Sequence, residues 1–377
     1  MKRGAGIFAA ASVLAVSFSA CGNAGAVDAA AEAGEKDTIQ IVTTIFPEYD
    51  WVNAVLGEEA EHAEVRMLLD NGVDLHSYQP SAQDILAIST CDLFIYVGGE
   101  SDVWVKDALA EASNQDMIVI DLMESLGEQV KEEELVEGME EGHDHDHEHE
   151  GEEDHGHEEE HEGEEGHGHE EEHEGEEGHE HEAEHEGEEG HEHEDGEEPE
   201  YDEHVWLSLR NASVFCEDIA DALAQIDTAH ADAYHANAAE YAKKLAALDQ
   251  RYQSSVDQAA CRTLLFADRF PFRYLTDDYD LDYYAAFAGC SAETEASFET
   301  VLFLAGKVDE LGLHTILTIE SSDGKMAQTV KEATAAKDQQ ILILDSMQSI
   351  TSADAAAGVS YLSVMEKNLA VLQQALQ

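Results

Sequence analysis

T-I-Q-I-V-T-T-I-F at 38–46 is short, β-branched and apolar, and Pro47 ends it. Such a run predicts a strand, because Val, Ile and Thr suit a pleated, half-buried surface. Working outward, A-E-V-R-M-L-L at 63–69, D-L-F-I-Y-V at 92–97 and M-I-V-I at 117–120 have the same character. Between them, residues 49–56 and 81–88 carry apolar positions at helical spacing. Strands that alternate with helices imply a parallel sheet covered on both faces.

The pattern returns in the C-terminal part. T-L-L-F at 263–266, T-I-L-T-I at 315–319 and Q-I-L-I-L at 340–344 read as strands, and 295–311, 325–335 and 361–376 as helices. Between these halves, residues 205–259 are helical throughout. Val214, Ile219, Leu223 and Ile226 form one stripe and Tyr234, Tyr241, Leu245 and Leu248 another, with Asp227 placed to cap the second helix. The expected fold is therefore α/β, two lobes with parallel sheets joined by a long rigid helical segment.

The N-terminus has the layout of an export signal. Lys2 and Arg3 precede an apolar run at 7–18, and Ser19 and Ala20 lead into Cys21. F-S-A-C-G at 18–22 resembles a bacterial lipobox, which makes Cys21 the expected lipidation site; ordinary cleavage near Ala20 is the alternative. Residues 1–21 are thus read as a signal and 22–37 as a tether. The N-terminal lobe spans 38–206, the linking helical segment 207–259 and the C-terminal lobe 260–377. No later apolar stretch approaches the roughly 20 residues needed to span a bilayer. Export permits disulfides, and Cys91, Cys216, Cys261 and Cys290 allow three pairings that the sequence cannot rank.

Within the first lobe, residues 137–200 differ in kind. They are almost entirely Glu, His, Gly and Asp, and H-E-G-E-E-G-H begins at 161, 173 and 185, a tandem period of 12. A segment this polar cannot bury enough apolar surface to offset its ordering entropy, so it is expected to be disordered without metal. It also supplies about half of the formal net charge of −68, since no Lys or Arg occurs between Lys131 and Arg210. That charge argues against a nucleic-acid partner. The segment's imidazoles, His143, His145, His147, His149, His155, His157, His161, His167, His169, His173, His179, His181, His185, His191 and His193, suit zinc, copper or nickel better than manganese. H-E-x-x-H arises within it at 157/161, 169/173 and 181/185 by composition alone, without the apolar-backed helix that a metalloprotease requires.

Outside that segment only six histidines occur: His62, His76, His204, His230, His235 and His314. Any folded imidazole site draws on this short set. His76 lies in the turn-like G-V-D-L-H-S-Y-Q-P at 72–80, and His204 in Y-D-E-H-V-W-L at 201–207, where apolar patterning resumes. Loops at strand ends are the usual ligand positions in α/β sheets.

With T-T-I-F-P at 43–47, D-L-F-I-Y-V-G-G at 92–99, D-E-H-V-W-L at 202–207, E-S-S at 320–322 and S-Y-L-S-V-M-E-K-N-L at 360–369, the chain resembles the zinc/manganese-binding lipoproteins of ABC importers, the ZnuA-like type. The resemblance covers nearly everything from residue 38 onward and implies one divalent ion, Zn2+ or alternatively Mn2+, in an interlobe cleft. It further implies a monomer, anchored to the cell membrane by its lipid, that delivers the ion to an ABC permease. The acidic segment would collect or buffer metal. The resemblance carries His76 and His204 over as ligands. Asp268 in A-D-R-F stands where the family has His or Glu, a departure from the zinc-type pattern, and Asp345 in L-D-S is the implied fourth ligand, with Glu320 as runner-up. No enzyme activity is expected. A surface zinc-storage or adhesion protein, or a zinc hydrolase, is the competing reading.

Overall fold

The computed structural model describes residues 38–139, 200–291 and 296–377. The expected signal and tether, Cys21, and all fifteen histidines of the acidic segment lie outside the described residues.

The first lobe runs β1 (Ile39–Thr43), α1 (Phe46–Leu56), β2 (Ala63–Met67), α2 (Ala82–Thr90), β3 (Leu93–Tyr96), α3 (Val105–Ala110), β4 (Ile118–Asp121) and α4 (Leu122–Leu126). Its strands are parallel in the order β2-β1-β3-β4. Two linking helices follow, α5 (Leu209–Ile226) and α6 (Ala231–Asp257). The second lobe adds β5 (Thr263–Phe270), α7 (Arg273–Asp278), β6 (Asp282–Ala288), α8 (Phe298–Leu311), β7 (Thr315–Thr318), α9 (Lys325–Ala333), β8 (Gln340–Ile343), α10 (Ser352–Ala356) and α11 (Tyr361–Ala375). Its sheet order, β6-β5-β7-β8, again parallel, repeats that of the first lobe. In both sheets the winding reverses beside the first strand, and the loops at the carboxyl ends of the strands there form a natural crevice.

Pro47 does more than end a strand: it lies in the first turn of α1, where its fixed φ is favourable and its missing N–H costs nothing. Glu48 completes that helix start, its carboxylate accepting from the N–H groups of Thr44 and Ile45 at 2.7 and 3.2 Å. The buried face of α5 is Leu209, Ala212, Phe215, Cys216, Ile219, Ala220, Ala222 and Leu223, so Val214 falls outside the expected stripe. Asp227 does not cap α6. It ends α5 and accepts from His230 Nδ1 at 2.6 Å and from the Tyr234 hydroxyl at 2.9 Å.

The core is continuous from the first sheet through α5 and α6 to the inner face of the second lobe. Trp51 of α1 marks the junction, its ring centroid 5.5 Å from Phe215 of α5 and 5.1 Å from Tyr361 of α11. A smaller cluster, including Val301, Leu304, Ile316 and Val330, fills the outer side of the second sheet. Cys91, Cys216, Cys261 and Cys290 form no disulfide. No helix among the described residues is long and apolar enough to cross a membrane.

Candidate metal centre

His76 sits on a 3-10 turn, Leu75–Ser77, in the loop after β2. Asp74 caps this turn, its carboxylate accepting from the His76 N–H at 3.0 Å. The other Asp74 oxygen accepts from Arg269 Nη2 of the second lobe at 2.6 Å. Burial pushes the Asp74 carboxyl up, but Arg269 and His76 outweigh it and hold the group below its ordinary range. The loop bearing His76 is thereby fastened to β5 across the cleft.

His204 is fully buried and follows directly on Asp202 and Glu203. Both its backbone N–H (2.8 Å) and its Nδ1 (3.1 Å) contact Asp202 Oδ1. The Asp202 carbonyl in turn accepts from the Tyr274 hydroxyl of α7 at 2.9 Å, and that hydroxyl accepts from the Lys131 N–H at 3.0 Å. A carboxylate behind the distal nitrogen of a metal-binding imidazole fixes tautomer and ring direction. His76 has an equivalent backing: its Nδ1 lies 2.8 Å from Ser101 Oγ and 3.4 Å from Glu203 Oε2. Burial works against the Glu203 charge, but the His76 side chain and Ser101 hold its carboxyl below the usual range.

Asp202 beside the His204 Nδ1, and Ser101 and Glu203 beside that of His76, are closer than the Asp74 carboxylate 4.0 Å from His76 Nε2, and these nearer partners assign the proton of each ring to Nδ1. The two Nε2 atoms then meet across 3.2 Å, the rings tilted by 57°. Two bare lone pairs at that separation repel unless a cation lies between them. On a tetrahedral zinc with bonds of 2.0–2.1 Å, two nitrogens stand about 3.3 Å apart. The pair is spaced for one ion.

Two glycines make the approach possible. At Gly99, φ is +81° and a side chain would run into Glu203; at Gly289, a Cβ would lie 2.8 Å from the Phe270 carbonyl and 3.0 Å from the His204 ring. Cys290 therefore follows a residue pressed against His204. Among the described residues, His76, His204 and Cys290 form a trio whose ligand atoms lie within 4.8 Å of one another. Glu59, His62 and His230 form another, on a more exposed face of the first lobe.

Glu320 and Asp345 follow the ends of β7 and β8, whereas Asp268 lies inside β5 rather than after it, and none of the three joins His76 and His204 in that trio. The register between β5 and β6 shifts between Phe266 and Arg269, and a bulge re-aims the side chains along it. Asp268 accepts from the Arg269 and Ile319 N–H groups and lines a cavity of about 590 Å³ with Ser321, Asp323 and Lys325. Glu320 uses both oxygens on Ser346 and Gln348. Asp345 accepts from the Met347 N–H, and burial raises its carboxyl. Cys290 gave no sequence signal, since no second cysteine or histidine stands near it along the chain.

Chain on either side of the acidic segment pairs beside this site. Glu132 and Tyr201 form an antiparallel bridge, flanked by the Glu133 N–H to Glu200 carbonyl and Asp202 N–H to Lys131 carbonyl bonds, both 2.9 Å. A cavity of about 850 Å³ opens against this neck, lined in part by Glu124, Glu128, Glu132 and Glu134.

Asp102 shapes the turn that presents Gly99. Its carboxylate accepts from the Val97 and Gly98 N–H groups at 3.1 Å, while Oδ1 has no partner. Burial, opposed by the Gly98 bond and reinforced by the Glu203 charge, pushes this carboxyl up to about 7. The folded state then binds a proton that the unfolded chain has already lost, so this contribution to stability is full below about pH 4 and disappears as pH rises through about 7. In Asp102→Asn, the fall in urea-unfolding stability between pH 4 and pH 8 is expected to shrink by on the order of 1 kcal/mol or more. An unchanged difference would show that Asp102 is ionised throughout.

The model of the family described as zinc-uptake complex component A, periplasmic (ZnuA), matches residues 41–375. The zinc-binding lipoprotein AdcA of Streptococcus pneumoniae serotype 4 is 29% identical over 336 residues, covering 89% of this chain. This chain spans only 55% of that relative's length. The high-affinity zinc uptake system protein ZnuA of Bacillus subtilis is 24% identical, with 100% of this chain and 98% of that protein covered. Among solved structures, the Zn(II)-bound ZnuA-like domain of S. pneumoniae AdcA superposes with a TM-score of 0.61 at 25% identity, covering 90% of this chain and 99% of that one. The laminin-binding protein Lmb of Streptococcus agalactiae shares the fold, with a TM-score of 0.63 at 20% identity over 90% of this chain and 100% of that one.

Proposed function

Because the chain belongs to the ZnuA family of zinc-uptake components, we propose that it captures Zn2+ outside the cytoplasm and delivers it to the permease of an ABC importer. The observation that carries the reading is the 3.2 Å approach of two carboxylate-backed Nε2 atoms in a buried crevice. Imidazole nitrogens favour zinc over manganese, which prefers carboxylate, carbonyl and water oxygens. Capture and release make or break no bond in a substrate, so the protein acts as a carrier rather than an enzyme.

In this reading Cys21 carries the lipid that holds a monomeric protein at the cell membrane. The Glu/His segment gathers ions at low affinity beside the cleft. Asp268, Asp345 and Glu320 hold the loops of the second lobe through their backbone and hydroxyl partners.

Replacing residues 140–199 with a short Gly/Ser linker separates the two kinds of site. Zinc titration against a competing chelator is expected to retain one tight equivalent and to lose the weak, multiple-ion phase. Disappearance of the tight phase would make the acidic segment the working part and the protein a zinc store.

A further inference from the structure

The proposed zinc site so far draws its imidazoles from the loop after β2 and from the segment leading into α5; the second lobe has contributed no donor. A carrier that clasps an ion between lobes needs one from each side. Asp268 within β5 and Glu320 after β7 are committed to backbone and hydroxyl donors. What the second lobe does bring to the histidine pair is a sulfur.

We propose that Cys290, in the loop after β6, is the second lobe's ligand to the captured ion, its thiolate joining His76 Nε2 and His204 Nε2. This rests on the zinc-capture reading above. One nitrogen of each ring and the Cys290 Sγ already lie within 4.8 Å of one another. On a tetrahedral zinc, with Zn–S about 2.3 Å and Zn–N about 2.05 Å, sulfur and nitrogen stand roughly 3.6 Å apart, so a loop movement of about 1 Å completes the set.

The loop is built to make that short approach. Gly289 lies flat against the His204 ring, and the Cys290 N–H donates to Glu133 Oε1 at 3.1 Å, tying the loop to the neck that leads into Asp202 and His204. A second group points the same way: Glu203 is 2% exposed, and its Oε2 has no well-formed hydrogen bond while lying 3.4 Å from His76 Nδ1. A cation bound on the far side of that imidazole makes the Nδ1 proton more positive and satisfies this oxygen. The proton balance is simple: the Cys290 thiol gives its hydrogen to solvent as the metal–sulfur bond forms, so one proton leaves for each ion bound.

A sulfur ligand changes which ions the site accepts. Thiolate with two imidazoles suits Zn2+ and Co2+ and disfavours Mn2+. The test uses Co2+ as an optical stand-in for zinc on the full chain. Bound Co2+ is expected to give a near-ultraviolet thiolate-to-cobalt charge-transfer band that Zn2+ abolishes by displacement. The acidic segment contains no sulfur between residues 140 and 199 and cannot produce that band. Cys290→Ser is expected to lose the band and to weaken zinc binding by about 10-fold or more, whereas Cys261→Ser retains both. Tight zinc binding by the wild-type chain without the band overturns the cysteine assignment and leaves zinc capture standing. Absence of any tight zinc equivalent overturns the capture reading itself. The wild-type spectrum decides the matter even if Cys290→Ser fails to fold.

Discussion

His204→Ala is expected to lower zinc affinity at the cleft by at least about 100-fold, because removing merely the partner that orients a zinc ligand already costs 10–100-fold. The effect is large for three local reasons. His204 is the most enclosed of the candidate ligands, its backbone and ring are held to one carboxylate at 2.8 and 3.1 Å, and Gly289 leaves no room for another side chain to take its place. Chelator competition should show the tight phase gone and the weak phase of the acidic segment intact. Thermal unfolding gives an independent reading: at free zinc of 100 Kd, binding adds about 2.7 kcal/mol to the wild-type fold, and most of that increment should vanish in the variant. A variant that keeps both the tight phase and the zinc-induced stabilisation would remove the histidine pair from the account of function.

Trp206→Ala is expected to destabilise the fold by about 3–5 kcal/mol, the usual cost of deleting a large buried aromatic. Trp206 is fully buried two residues after His204, and its indole N–H donates to the Ser346 carbonyl of the second lobe at 2.9 Å. Its own carbonyl accepts from the Tyr361 hydroxyl at 2.8 Å. Truncation therefore leaves a cavity, an unpaired buried carbonyl and a His204 ring without the neighbour now 5.1 Å from it. The urea midpoint should fall, and zinc affinity with it. Trp206→Phe, which refills most of the volume but not the hydrogen bond, should recover the larger share of the stability. If Trp206→Ala unfolds at the wild-type midpoint, the two lobes are not joined through this side chain.

The parts of the fold that were legible in the sequence share one property: their local chemistry has a single reading. Seven of the eight strands stand out as short β-branched or apolar runs. β6, D-Y-Y-A-A-F-A, does not, because alanines carry little strand preference and the run lacks a Gly or Pro ahead of it. The short helices α3, α4, α7 and α10, each of five or six residues, are below the length at which periodicity can be recognised. Pro47 was ambiguous for a related reason, since a proline that ends a strand and one that begins a helix look alike until the next turn is seen.

His76 and His204 were legible because imidazoles are scarce outside the acidic segment. The approach of Cys290 to them was not. Asp268 follows β-branched and aromatic residues much as a strand-end ligand would, and only the bulge in β5 reveals that its carboxylate serves the Ile319 and Arg269 backbone. Proximity of Cys290 to His204 depends on the order of strands in a sheet, with β6 at its edge beside β5, and no one-dimensional pattern encodes that order.

The unbroken apolar core beneath the crevice constrains how an ion escapes. Swinging the halves wide apart would bring Trp51, Phe215 and Tyr361 into water together, at several kcal/mol. On the proposed capture function, exit is cheaper through the rim, where the His76 turn and the Cys290 loop approach each other. Delivery, on the same reading, would amount to unlatching two loops, and the Asp74–Arg269 clasp rather than a hinge would set how long an ion stays.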